Sequence, residues 1–174
     1  MASGDTLLIM TAEHANPPNA TTAAQLTVMG GASTPAESIP VVAFDDTTEE
    51  FMDYRGVMPQ FFSGGGTTVI IGYSAAEAAP DVVAWGAAFR RIADDAEDLD
   101  TTSHSYDFNV VVDTAPSAVG EVAYASITFT AGADMDGVVA GDYFDLRIFR
   151  DTTPSSGTDV TGDASIHFIE IRET

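Results

Sequence analysis

The chain predicts an all-β fold, a β-sandwich or barrel, and three observations carry that expectation. Apolar residues recur with a period of two, clusters of Gly, Pro, Asp, Ser and Thr interrupt them every eight to fifteen residues, and helix signals are nearly absent. The length of 174 residues suits one domain, because a chain near 150 residues already buries roughly two thirds of its surface.

Taken in order, residues 1–38 read as an extended N-terminal arm or edge hairpin. It holds short strand candidates at 6–11 and 25–29, separated by a Pro-, Asn-, Thr- and Ala-rich stretch in which Pro17 and Pro18 force an extended path. The sandwich proper is expected over 39–174. Its first strands fall at 39–44 and 50–61, on either side of an acidic loop of Asp45, Asp46, Glu49 and Glu50. At 67–74 Val69, Ile71 and Tyr73 share one phase, and at 82–92 Val83, Trp85, Ala87 and Phe89 do. The best strand is 103–113, where His104, Tyr106, Phe108, Val110 and Val112 form the expected core face. At 120–130 Ala125, Ile127 and Phe129 oppose Tyr124, Ser126 and Thr128. At 142–151 Phe144, Leu146 and Ile148 turn inward while Asp145 and Arg147 point outward. The last strand, 165–172, breaks parity: Ile166 and Phe168 take one phase, Ile169 and Ile171 the other, which implies a bulge or burial on both faces. Turns are marked by Gly64-Gly65-Gly66, Ala115-Pro116, 132–141 and 154–157, with a helical turn expected near 134–140.

Charge narrows the function classes. Six basic against 27 acidic residues give a formal charge of -21, so neither nucleic acid nor an anionic membrane is an expected partner. All six cations are arginine, there is no lysine, and Asp outnumbers Glu 18 to 9. The absence of cysteine excludes disulfides, thiolate metal sites and a Cys nucleophile. The longest apolar stretch, 82–89, is far short of the ~20 residues that span a bilayer, and no basic-then-apolar leader opens the chain. A soluble, unprocessed product is expected.

No constellation points to catalysis. Carboxylates are so abundant that closeness in sequence carries no information about an acid and base pair. Asp94, Asp95, Glu97, Asp98 and Asp100 lack the glycine and terminal glutamate of a calcium loop and read as a solvated acidic turn. His14, His104 and His167 are scattered, without ligand spacing. There is no G-x-S-x-G elbow, and Gly64–Gly66 reads as a hairpin tip with no lysine to cradle phosphate. Asn19-Ala20-Thr21 matches a glycosylation acceptor but arises readily in a Thr-rich loop. Arg90, Arg91, Arg147 and Arg150 are expected to pair with nearby carboxylates. The protein is therefore expected not to be an enzyme, with no catalytic, cofactor or metal residue and only non-specific cations on its surface.

The order of the segments IPVVAFDDTTEE, VMPQFFSGGGTTVIIGYSA, WGAAFRRIADDAEDLD, ASITFTAGADMDGVVAGDYFDLRIFRD and VTGDASIHFIEIRE, over about residues 39–174, resembles small virion structural proteins of tailed viruses. The resemblance implies a jelly-roll sandwich, commonly a homotrimer, on the outer surface of the virion head. There it would act as a capsid decoration or cement protein on the major capsid protein shell. The Asp-rich, lysine-free composition resembles proteins of extreme halophiles, which implies a virus of a halophilic host. Expected interface residues are Leu7, Leu8, Ile9 and Met10 of the arm and the extra apolar phase of Ile166 and Phe168; Met52, Tyr54, Val57 and Met58 form a further patch. The alternative expectation is a tail, spike or turret adhesin whose jelly roll binds carbohydrate or receptor. That role asks for exposed rings, and the single Trp, Trp85, sits on a phase that reads as buried.

A charge of -21 on one domain is self-repulsive in dilute buffer, whereas ~1 M salt shortens the screening length to ~3 Å. Far-UV circular dichroism is expected to show cooperative melting in molar NaCl and a lower melting temperature after desalting; equal transitions in both would remove the repulsion argument.

Overall fold

The computed structural model describes residues 4–174 and consists of two antiparallel sheets packed face to face. The eleven strands are β1 (Thr6–Thr11), β2 (Ala15–Asn16), β3 (Gln25–Gly30), β4 (Ser38–Phe44), β5 (Phe51–Val57), β6 (Thr67–Ala75), β7 (Val82–Ile92), β8 (Asn109–Thr114), β9 (Ala123–Phe129), β10 (Tyr143–Asp151) and β11 (Ala164–Glu173). One sheet has the order β3-β4-β11-β6-β9, with β1 also alongside β11; the other is β2-β5-β10-β7-β8. Among the described residues helix is confined to single 3-10 turns at Ala12–His14 and Ala133–Met135, the latter overlapping the helical turn expected near 134–140.

Alternation explains which side of each sheet is inside. Val69, Ile71 and Tyr73 of β6, Val83, Trp85, Ala87 and Phe89 of β7, and Phe144, Leu146 and Ile148 of β10 all enter one core. Trp85 is fully buried at its centre, edge-on to Phe44 at 5.2 Å and Tyr73 at 5.5 Å between ring centroids. Of the further patch, Met52, Tyr54 and Met58 are core residues and Val57 is exposed.

The parity break in the last strand is a bulge. Ile166 pairs with Tyr73 and Phe168 with Gly72, so His167 is the extra residue. Ile166 thereby joins Ile169 and Ile171 inside the core, and Phe168 alone faces outward.

The segment expected as an arm is largely part of the sandwich; its residues 1–3 lie outside the described residues. β4 pairs with β11 only at Ala164–Ile166, which leaves the edge from Phe168 to Arg172 for β1 to cover. Leu7 and Met10 are consequently buried in the core, Leu8 packs partly against it, and Ile9 is exposed. β3 and β4 form an edge hairpin.

A second difference concerns 103–113. The strand begins only at Asn109, and its core-facing phase is the opposite one: Val111 packs on the core, Asp113 accepts a hydrogen bond from the buried Tyr73 hydroxyl at 3.0 Å, and Val110 is exposed. Residues 93–108 instead form a strap over the outside of the five-stranded sheet, held there by Tyr106 and Phe108, with His104 packed against Tyr106.

Arg150 lies on the inward phase at the end of β10 and is fully buried. Its Nη1 donates to the carbonyls of Phe44 (3.2 Å) and Gly162 (2.8 Å), and its Nη2 to Val160 O and Asp159 Oδ2 (2.8 and 2.9 Å). It ties both sheets to the 159–162 loop. Arg150→Met is expected to destabilise the fold by about 3–5 kcal/mol, read as a lower denaturation midpoint, because it strands buried acceptors and a carboxylate.

Candidate functional site

The outer face of the five-stranded sheet is built by residues that pairing sets side by side on β5, β10 and β7. Four cross-strand rows follow: Phe51–Phe149–Gly86, Asp53–Arg147–Ala88, Arg55–Asp145–Arg90, and Val57–Tyr143–Ile92. The two middle rows come from one local signal. β5 carries Asp53-Tyr54-Arg55 and β10 carries Asp145-Leu146-Arg147, and antiparallel pairing of two D-x-R triplets sets each Asp opposite an Arg. Three of the six arginines of the chain, Arg55, Arg90 and Arg147, thus share this face.

The charges are knit unevenly. Arg147 grips Asp53 with Nε and Nη2 at 2.6 and 2.9 Å. Arg90 donates to Glu97 of the strap at 2.7 and 3.2 Å. Asp145 is held loosely: Arg55 Nε lies 3.6 Å and the Tyr106 hydroxyl 3.4 Å from its Oδ2. Its Oδ1 is buried without a protein hydrogen-bond partner, although the residue is only 3% exposed. Burial raises the Asp145 carboxyl above the usual range, and nearby Asp53 adds to that, against Arg55 and Arg147. Burial also pushes the Tyr106 hydroxyl up to about 12.

The strap closes part of the face. The Tyr106 ring lies 4.2 Å from the Arg147 guanidinium carbon, and Phe108 packs edge-on to Phe149 at 4.7 Å. Phe149 in turn fills the space over Gly86, where a Cβ would meet its ring at 1.8 Å. Beside these contacts a cavity of about 200 Å³ remains, lined by Arg55, Arg90, Ile92, Leu99, Tyr143 and Asp145. It joins two guanidinium donors, a carboxylate acceptor, a phenol ring and two apolar walls.

The residues singled out from sequence are dispersed around the molecule. Leu7, Met10 and Ile166 are core, while Phe168 meets Tyr124 at 5.6 Å on the outer face of the six-stranded sheet. The acidic turn is exposed at Asp94, Asp95, Asp98 and Asp100, with Glu97 drawn to Arg90. Among the described residues, no group of three His, Asp or Glu side chains is arranged to hold a metal. His14 accepts from Thr11 N, His167 meets Ser74 Oγ and His104 lies near Asp136 and Tyr106. Arg55 and Asp145 were not picked out by sequence reasoning as a site; the paired D-x-R triplets are the signal that finds them.

No family model and no curated protein matches the chain. Among solved structures it is similar to the CBM22-1 xylan-binding domain of Paenibacillus barcinonensis, with 11% identity, 99% of this chain and 96% of that one covered, and a TM-score of 0.48. It is similar to a family 11 carbohydrate-binding module from Clostridium thermocellum, with 13% identity, 100% and 98% covered, and a TM-score of 0.46. A third similar structure is an exo-β-1,3-galactanase from Phanerochaete chrysosporium, with 10% identity and a TM-score of 0.47; 98% of this chain corresponds to 29% of that chain's length. The sandwich architecture stands on the strand pairing described above and borrows nothing from these likenesses.

A raised native pKa means that the folded protein binds the Asp145 proton more tightly than the unfolded chain. Ionisation therefore removes stability as pH rises from the unfolded value near ~3.9 through the native one. Asp145→Asn keeps the shape; Arg147 retains Asp53, Arg90 retains Glu97, and Arg55, which loses its carboxylate, is half exposed to solvent. The variant is expected to melt above the parent at pH 7, with the gap narrowing as pH falls through the native pKa and closed once it reaches about 4. A variant that melts lower at pH 7 would show that the ionised carboxylate is structural.

Proposed function

We propose that the protein is a carbohydrate-binding module whose site is the cavity under the strap. The observation that carries this reading is the Arg55–Asp145–Arg90 row, all three members of which line one cavity. Neighbouring hydroxyls of a sugar are both donors and acceptors, so a carboxylate between guanidinium groups matches them, and Tyr143 offers a ring face. Within the row and its immediate partner, Arg55 and Arg90 are balanced by Asp145 and Glu97, which favours a neutral ligand over an anionic one. The overall charge of -21 acts in the same direction.

Binding proceeds without turnover. Glycoside hydrolysis needs a carboxylic acid and a second carboxylate about the scissile bond. Here Asp53 is held bidentately by Arg147 and Glu97 by Arg90, which leaves Asp145 to act as acceptor alone. On a virion, the setting implied by the family resemblance, the same cavity would serve an adhesin. A role as shell cement asks nothing of this cavity and gives no account of its charged row.

Six arginines and no lysine make the arginine Nε–H spectrum a six-signal reporter. In molar NaCl, neutral sugars of a pyranoside and oligosaccharide panel are expected to shift the Arg55 and Arg90 signals and leave Arg172 unmoved, while uronic acid oligomers do not. Asp145→Ala is expected to weaken that binding about 10- to 100-fold, the worth of a charged hydrogen bond. No shift with any sugar would end the carbohydrate reading.

A further inference from the structure

We infer that the cavity takes the terminal residue of a neutral carbohydrate chain end-on, and that a continuous chain does not lie across the sheet. This rests on the carbohydrate reading above and deepens it.

The reason is the strap. Between residues 103 and 108, His104, Tyr106 and Phe108 are part-buried while Ser103, Ser105 and Asp107 are exposed, so the segment lies with one phase down on the sheet. Phe108 contacts both Phe149 and Phe51, at 4.7 and 6.2 Å, and Tyr106 stacks on Arg147. Two of the four rows are therefore covered across β5 and β10. Glu97 fastens the strap to Arg90 at 2.7 Å, at the β7 end of the third row. A glycan laid across the strands would have to break these contacts together.

What remains open is small. The cavity holds about 200 Å³, below the roughly 300–1,000 Å³ of pockets for drug-sized ligands, and suits one sugar ring. Its Ile92 and Tyr143 wall is shared with a hollow that Asp94, Asp95 and Asp142 also line. A second residue leaves over the Tyr143 ring into that hollow, and later residues stand in solvent. Carboxylates at this exit also disfavour an anionic chain.

Chain-length dependence tests the inference on the unmodified protein. The probes are methyl pyranosides of glucose, galactose, mannose and xylose, and their linear di-, tetra- and hexasaccharides, titrated in molar NaCl. Arginine Nε–H shifts give the site, and calorimetry gives the affinity. Affinity is expected to rise from mono- to disaccharide and then stay within about twofold to the hexasaccharide, with the Arg147 signal beneath Tyr106 unmoved. A hexasaccharide more than about tenfold tighter than the disaccharide, with Arg147 shifting, overturns end-on binding and leaves the carbohydrate reading intact. No shift with any probe overturns the carbohydrate reading and this inference with it.

Discussion

With six arginines, no lysine and 27 carboxylates, the places where this chain sets a guanidinium are the places where negative groups can be brought together and covered. Each arginine answers a carboxylate: Arg55 Asp145, Arg90 Glu97, Arg91 Asp142, Arg147 Asp53, Arg150 Asp159 and Arg172 Glu170. Exposed pairs of this kind contribute at most about 1 kcal/mol, so their number says little about stability. Their position says more. Three cluster on the outside of one sheet, where alternation alone asks for nothing but solvated side chains.

Much of the fold was legible because strand phase is a local property. The inward phases of β6, β7, β9 and β10 follow from which side chains alternate, and the broken phase of β11 announced its bulge. The N-terminal segment read as an arm because its composition is that of a loop around Pro17 and Pro18. What draws β1 into the sheet is the uncovered edge of β11, more than 150 residues away in sequence. The candidate site was illegible for the same reason. Asp53 and Arg147 are separated by 94 residues, and only the register of β5 on β10 makes two D-x-R triplets into one row.

The strap shows where period-two reasoning stops. An extended segment lying on a sheet alternates like a strand within one, since both present one face to protein and the other to water. His104, Tyr106 and Phe108 do bury one phase, but against the outside of the sandwich. Their receiving surface, Phe51, Phe149 and Arg147, is assembled from two other strands. At Asn109 the segment joins β7 and the phase facing the core becomes that of Val111 and Asp113.

Two buried ionic groups on β10 separate structure from function. Arg150 has both terminal nitrogens engaged, by three carbonyls and a carboxylate, and it binds the ends of the sandwich together. A buried charge so enclosed is a structural element, because its removal leaves its partners unsatisfied. Asp145, five residues earlier, is as deeply buried, yet it has one long contact to Arg55, one to Tyr106 and an oxygen with no protein partner. Burying a carboxylate so loosely answered works against stability. The same residue lines a cavity with two arginines, beside a strap that Glu97 fastens to Arg90. On the proposed reading a ligand hydroxyl would complete this acceptor, in a setting where Arg55 and Arg90 are balanced by Asp145 and Glu97.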